Sequence, residues 1–136
     1  MMRRWVVVMV VVLLLGGGAK LSAASADKVK EASERAAKDY VNHGLILAGE
    51  GQNEDAAKSF RQALAIMPQW AEAHSLLGSA LAQTGNFREA EEELRKAVTL
   101  KPDYAEGWYY LGQFLMDRGK EPEAQEAFRK AKQYQR

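Results

Sequence analysis

The chain has no cysteine, and only two histidines and three prolines in its 136 residues. Without a thiol there is no disulfide, no thiolate metal site and no lipid-modified N-terminal cysteine. A dominant charge is missing as well: 19 Lys and Arg stand against 18 Asp and Glu. These charges alternate in sign, as in Asp27-Lys28 and in Glu93 near Arg95-Lys96, where phosphate collection would need a basic stripe. Nucleic acid is therefore excluded as a partner. His43 and His74 have no spaced carboxylate set beside them, and no Gly-rich phosphate loop or nucleophile motif occurs. We expect no enzyme, no metal and no cofactor. Both histidines are read as partly buried packing residues, and Glu89, Glu91, Glu92 and Glu93 as a solvated acidic face.

Long apolar runs are scarce too. The longest is Trp5–Leu15, eleven residues followed by three glycines, which is too short to cross a hydrocarbon core of about 30 Å as a helix. It follows the basic Met1–Arg4 and precedes a small, polar segment ending in Ala24-Ser25-Ala26. This is the three-part layout of a secretory signal over residues 1–26, and it places the exported chain outside the cell or in the periplasm. The other reading is an uncleaved anchor over residues 5–19, the only route to a membrane. Cleavage would remove Arg3, Arg4 and Lys20 and leave 110 residues with 16 basic and 18 acidic side chains, enough for one small domain.

What the chain does have is a period. Gly44, Gly78 and Gly112 are 34 residues apart, and the same interval separates Gly51, Gly85 and Gly119, then Ala56, Ala90 and Ala124. Phe60, Leu94 and Phe128 form another column, Ala63, Ala97 and Ala131 the next, and Pro68 aligns with Pro102. A fixed interval of this size marks a repeat array. Inside one unit, Leu76, Leu77, Ala80 and Leu81, then Ala90, Leu94, Ala97 and Val98, recur at helical steps, so each unit is two helices. Gly85 supplies the left-handed residue that ends the first helix. Asn86 with Glu89, and Asp103 with Glu106, have the spacing of a capping box. Small residues in the glycine and alanine columns let paired helices approach closely, with Phe60, Leu94 and Phe128 filling the space between them.

These columns resemble the tetratricopeptide repeat, whose signature runs aromatic, Leu-Gly, large apolar, Ala, aromatic or Leu, Ala, Pro. The third unit matches with Trp108, Leu111, Gly112, Leu115, Ala124, Phe128 and Ala131. The second has His74 in the Trp108 column, then Leu77, Gly78, Leu81, Ala90, Leu94, Ala97 and Pro102. The first has Tyr40, Gly44, Leu47, Ala56, Phe60, Ala63 and Pro68, with His43 where its sisters have Leu. The resemblance implies an all-α, right-handed superhelical solenoid over residues 27–136. Its helix-turn-helix units are 37–70, 71–104 and 105–136, with residues 27–36 as a polar helical extension at the N-terminus.

The resemblance also implies a peptide groove lined by the first helices of the units. Its columns hold Lys38, Val41, Asn42, Leu45, Ala48 and Gly49, then Glu72, Ser75, Leu76, Ser79, Ala82 and Gln83, then Glu106, Tyr109, Tyr110, Gln113, Met116 and Asp117. The carboxylate clamp of chaperone-binding members is not carried over, because its columns read Val41, Leu45, Leu76, Glu106 and Tyr110. Val41, Leu45, Leu76, Met116 and the two tyrosines offer apolar contact, and Asn42, Ser75 and Gln113 can bond a peptide backbone. Lys38 against Glu72, Glu106 and Asp117 favours basic, apolar-aromatic segments. The expected function is an exported adaptor that docks a protein or peptide segment in cell-envelope assembly or secretion. The alternatives are a structural subunit that associates through its repeat end, or an accessory subunit of an envelope enzyme. At the C-terminal end Lys132 stands in the column of Leu64 and Val98, and Glu121 in that of Phe87. Both polarise that end and keep any self-association weak.

Overall fold

Residues 22–136 are described by the computed structural model, and every described segment of regular structure is α-helical. The expected signal segment lies outside the described residues up to Leu21. Among the described residues six helices follow one another: α1 Ala23–Gly49, α2 Asn53–Ile66, α3 Ala71–Gln83, α4 Phe87–Leu100, α5 Ala105–Asp117 and α6 Glu121–Tyr134. Helix α1 starts before the proposed cut after Ala26, with Ser22 oxygens accepting from the Ser25 backbone N–H. Residues Ala32–Arg136 form one compact unit, which holds α2 to α6 and most of α1.

The turns inside the repeats close at Gly51, Gly85 and Gly119, with φ of +78°, +84° and +74°. A side chain there would meet its own backbone, which is why this column favours glycine. The capping boxes do not form: neither Asn86 nor Tyr104, the residue at the head of α5, makes a side-chain cap bond. Asn86 Nδ2 donates to Thr84 Oγ1, and the Glu89 carboxylate is held by Arg61. Acidic residues in the first turns, such as Glu54, Asp55, Glu89 and Glu123, face the positive ends of the helix dipoles and supply part of what a cap would.

Helices pair within each unit through the glycine column. A Cβ on Gly44 would come within 2.5 Å of the Phe60 ring, one on Gly78 within 2.7 Å of Leu94 Cγ, and one on Gly112 within 2.8 Å of the Phe128 ring. Phe60, Leu94, Leu81, Leu111 and Leu115 are fully enclosed, and the alanine columns at 56, 90 and 124 have no exposed surface. Between units, α2 packs on α3 and α4 on α5, so each first helix seats against the pair before it.

The acidic run on α4 is not the solvated face expected, for only Glu92 is exposed, Glu89 and Glu91 are half-buried, and Glu93 turns in onto the buried His74. Glu89 pairs with Arg61 at 2.7 Å, Glu91 with Arg95 and Lys120 at 2.8 Å each, Glu92 with Arg88 at 3.2 Å, and Glu93 with His74 at 2.5 Å. Hydrogen bonding from Lys120, aided by Arg95 and opposed by partial burial, holds the Glu91 carboxyl below the usual range. Two of the bridges recur with the period: Arg61–Glu89 and Arg95–Glu123, each at 2.7 Å, link the second helix of one unit to that of the next.

The histidines separate. His74 is buried: Nε2 donates to the Pro68 carbonyl at 2.8 Å and Nδ1 faces Glu93. Trp108, one period on, makes the same bond from its Nε1 to the Pro102 carbonyl at 2.8 Å. His43 is exposed, contrary to the packing role expected, because its column is covered by a preceding unit and α1 has none among the described residues.

Candidate functional site

The first helices α1, α3 and α5 carry the expected groove residues, but their two faces differ. Lys38, Asn42 and Leu45 are exposed on α1. Val41 and Ser75 are not groove residues, for they are 7% and 0% exposed. The Ser75 hydroxyl donates to the Glu72 carbonyl at 2.8 Å and lies 3.4 Å from the Tyr104 hydroxyl, so it serves the helix packing. Burial pushes the Tyr104 phenol up, partly offset by that serine. Tyr109 belongs to the same column as Val41 and Ser75, yet is 48% exposed. In the second unit the next unit's Tyr104 and first helix lie against this column, and the third unit has no successor among the described residues.

On the groove face a small notch of about 130 Å³ opens between α3 and α5. Ser79, Ala82 and Gln83 form one wall, Tyr110, Phe114 and Asp117 the other. Leu76 and Met116 are half-buried and exposed respectively, and Gln113 is exposed. Four lining residues lie outside the groove columns: Phe114 and the core residue Leu94, Phe87 at the start of α4, and Arg118, whose guanidinium lies 3.8 Å from the centre of the Phe87 ring. The signal for Phe87 was an aromatic at a position where the sister units carry Asn53 and Glu121.

The electrostatics differ from expectation. Lys101 Nζ donates to Glu72 at 2.8 Å. Burial raises the Glu72 carboxyl, but the Lys101 bond and a backbone hydrogen bond outweigh it and hold the group below its usual range. With the Glu72 carboxylate paired to Lys101 and Arg118 added, Lys38 and Arg118 balance Glu106 and Asp117, so the net negative groove read from the columns is lost.

A second and larger cleft, about 520 Å³, lies at the C-terminal end between α5 and α6, lined by Glu106, Tyr109, Tyr110, Ala131, Tyr134 and the final residues. The Tyr109 ring stands 5.8 Å from Phe128 and 6.2 Å from Tyr110, both at steep angles. Tyr110 thus borders both openings. Among the described residues no group of three or more His, Asp or Glu has metal-binding geometry, and no helix is long and apolar enough to cross a membrane.

Paired helices stacked at a fixed interval, with one open face of first helices, define a helical repeat protein. Two family models described as Tetratricopeptide repeat match residues 47–98 and 75–135, and the chain belongs to that family. No curated protein matches the sequence. The fold is similar to the Sgt2 TPR domain from Aspergillus fumigatus, with a TM-score of 0.69, 23% identity, 72% of this chain and 65% of that one. It is also similar to MamA, with a TM-score of 0.66, 23% identity, 74% of this chain and 59% of that one. The chain therefore spans slightly less than two thirds of each of those two. The second TPR of Spaghetti (RPAP3), bound to the HSP90 peptide SRMEEVD, aligns with a TM-score of 0.72 and 19% identity over 79% of this chain and 99% of that one. At these identities the likeness concerns the fold.

Proposed function

We propose that the chain is a protein-docking adaptor that holds an apolar-aromatic peptide segment on the face of α1, α3 and α5, in the exported compartment implied by its N-terminus. The observation that carries the reading is Tyr110: an aromatic ring 36% exposed beside the Ser79, Gln83 and Asp117 notch, with Leu76 in its own column and Met116 further along α5. A half-exposed tyrosine offers much area at little rotamer cost, as binding anchors do. Similar folds support the class, since the Spaghetti domain binds an HSP90 peptide and yeast Sti1 has a TPR2B domain in complex with Hsp70. The ligand here differs from that acidic tail, because the clamp columns hold Val41, Leu45, Leu76, Glu106 and Tyr110, and the first of these is buried.

Peptides selected from a library on the immobilised protein should be rich in apolar and aromatic residues and need no free C-terminus. In isothermal titration Tyr110→Ala should weaken a selected peptide about tenfold, the scale of truncating one interface anchor, with the helical circular dichroism unchanged. The balanced groove charge predicts a dissociation constant that shifts by less than about threefold between about 0.05 and 0.5 M salt, conditions that screen exposed ion pairs. Unaltered binding by Tyr110→Ala would remove the groove assignment. For export, the protein isolated from its native host should begin Asp-Lys-Val-Lys, and recovery of membrane-bound chain starting at Met1 would replace that reading by an anchor.

A further inference from the structure

The two ends of the array differ from its interior in a matched way. Toward a preceding unit, the first helices α3 and α5 bury Ala73 and Gly107, Leu77 and Leu111, Ala80 and Phe114. In α1 the same columns hold Asp39, His43 and Ile46, all exposed, with Tyr40 beside them also exposed. Toward a following unit, α2 and α4 bury Leu64 and Val98, whereas α6 presents Lys132, and the buried Val41 and Ser75 give way to the exposed Tyr109.

The periodic ion pair shows what would fit. Arg61 and Arg95 each reach forward one unit to Glu89 and Glu123. Arg129, the next arginine of that column, has no following unit among the described residues and holds Glu126 on its own helix at 2.6 Å. Asp55, the first acid of the other column, has no preceding arginine of that column among the described residues and holds Lys58 at 2.9 Å. Both local pairs are exposed and one turn apart, a kind of contact that contributes little and exchanges readily. One end of the array thus offers the donor of the next rung and the other end its acceptor, at the same height in the repeat.

We propose that copies of this chain join head to tail. The exposed outer face of α1 and α2 in one copy takes the place of a following unit on the α5–α6 cleft of the next, and Asp55 of the incoming copy takes the next rung on Arg129. Tyr40 and Ile46 supply the apolar contact that His74 or Trp108 and Ala80 or Phe114 supply inside the array. Lys132 meets a face that carries Asp39, so the polar residues that terminate each end are opposite in sign. These same residues make the joint weak and reversible, because a desolvated Lys and Asp fill positions that are apolar elsewhere.

Charge reversal at either end tests this by sedimentation velocity on the full chain, over about a hundredfold range of concentration, where a reversible joint makes the mass rise with concentration. The wild type should show that rise. D55R alone and R129E alone should each stay monomeric, since each then opposes like charges at the joint. An equimolar mixture of the two should associate again, and so should the double variant D55R/R129E, because each restores an opposite pair. Tyr109→Ser should weaken association without altering the helical spectrum. A wild-type mass independent of concentration, association that persists in either single variant, or a mixture that stays monomeric overturns the proposal. Asp55 and Arg129 are both exposed, so the helical circular dichroism and the urea midpoint of each variant, expected to match wild type, report separately on the integrity of the fold.

Discussion

Leu94→Ala should lower the free energy of unfolding by about 3 kcal/mol, within the range for emptying a fully buried leucine site. Leu94 is 1% exposed and fills the space left by Gly78 in the central unit, the unit that both of its neighbours pack against. In a linear array a weakened middle unit loosens two interfaces, whereas a weakened end unit loosens one. Phe128→Ala should therefore cost less than Leu94→Ala although it removes the larger side chain, since Phe128 lies at the open end and is only half-buried. Urea titration with linear extrapolation measures both. Gly78→Ala sharpens the comparison: its Cβ would stand 2.7 Å from Leu94 Cγ and 3.0 Å from the Ala90 carbonyl oxygen, which cannot move aside. In the Leu94→Ala background the first of those clashes is absent. The double variant should then be less destabilised than the two singles added, a coupling expected of residues in direct contact. Strict additivity, or a Phe128→Ala cost above that of Leu94→Ala, would contradict the central unit's role as the keystone of the core.

His74→Ala should cost about 2–3 kcal/mol, the penalty for leaving buried polar partners unsatisfied. The Pro68 carbonyl only accepts, so Nε2 of His74 carries a hydrogen, and Nδ1 lies 2.5 Å from a Glu93 oxygen. Truncation strands that carbonyl, where α2 turns into α3, and a carboxylate that is 19% exposed. His74→Trp should recover part of the loss, because Trp108 in the same column donates from Nε1 to the equivalent Pro102 carbonyl. Thermal and urea unfolding of the three proteins decide the matter. A His74→Ala variant within about 0.5 kcal/mol of wild type, the scale of an ordinary surface change, would mean that the buried pair contributes nothing to stability.

Much of the repeat architecture was legible in the residues, and some of the site was not. The interval of 34 residues sets the unit. Gly44, Gly78 and Gly112 mark the close helix contacts, and Gly51, Gly85 and Gly119 the left-handed turns. Each of these is a steric requirement acting on one position, so the sequence carries it openly. Helix caps were overstated for the opposite reason: Asn86 and Glu89 have the spacing of a capping box, but a side chain with two possible partners goes to the better one, and Arg61 from the preceding unit claims Glu89. A repeat column also does not say whether a neighbour covers it. Val41, Ser75 and Tyr109 share a column, yet the first two are buried and the third is open. The sequence by itself determined the repeat, its helices, its glycine contacts and the absence of a thiol or a metal-ligand motif. Only the tertiary structure decided which of the expected groove residues are exposed, that Lys101 pairs with Glu72 and Arg118 joins the notch, and that Arg61 and Arg95 reach forward to the next unit while Arg129 does not. Those depend on distances between helices about 28 residues apart in the chain, and no local periodicity encodes which side chains meet across that separation.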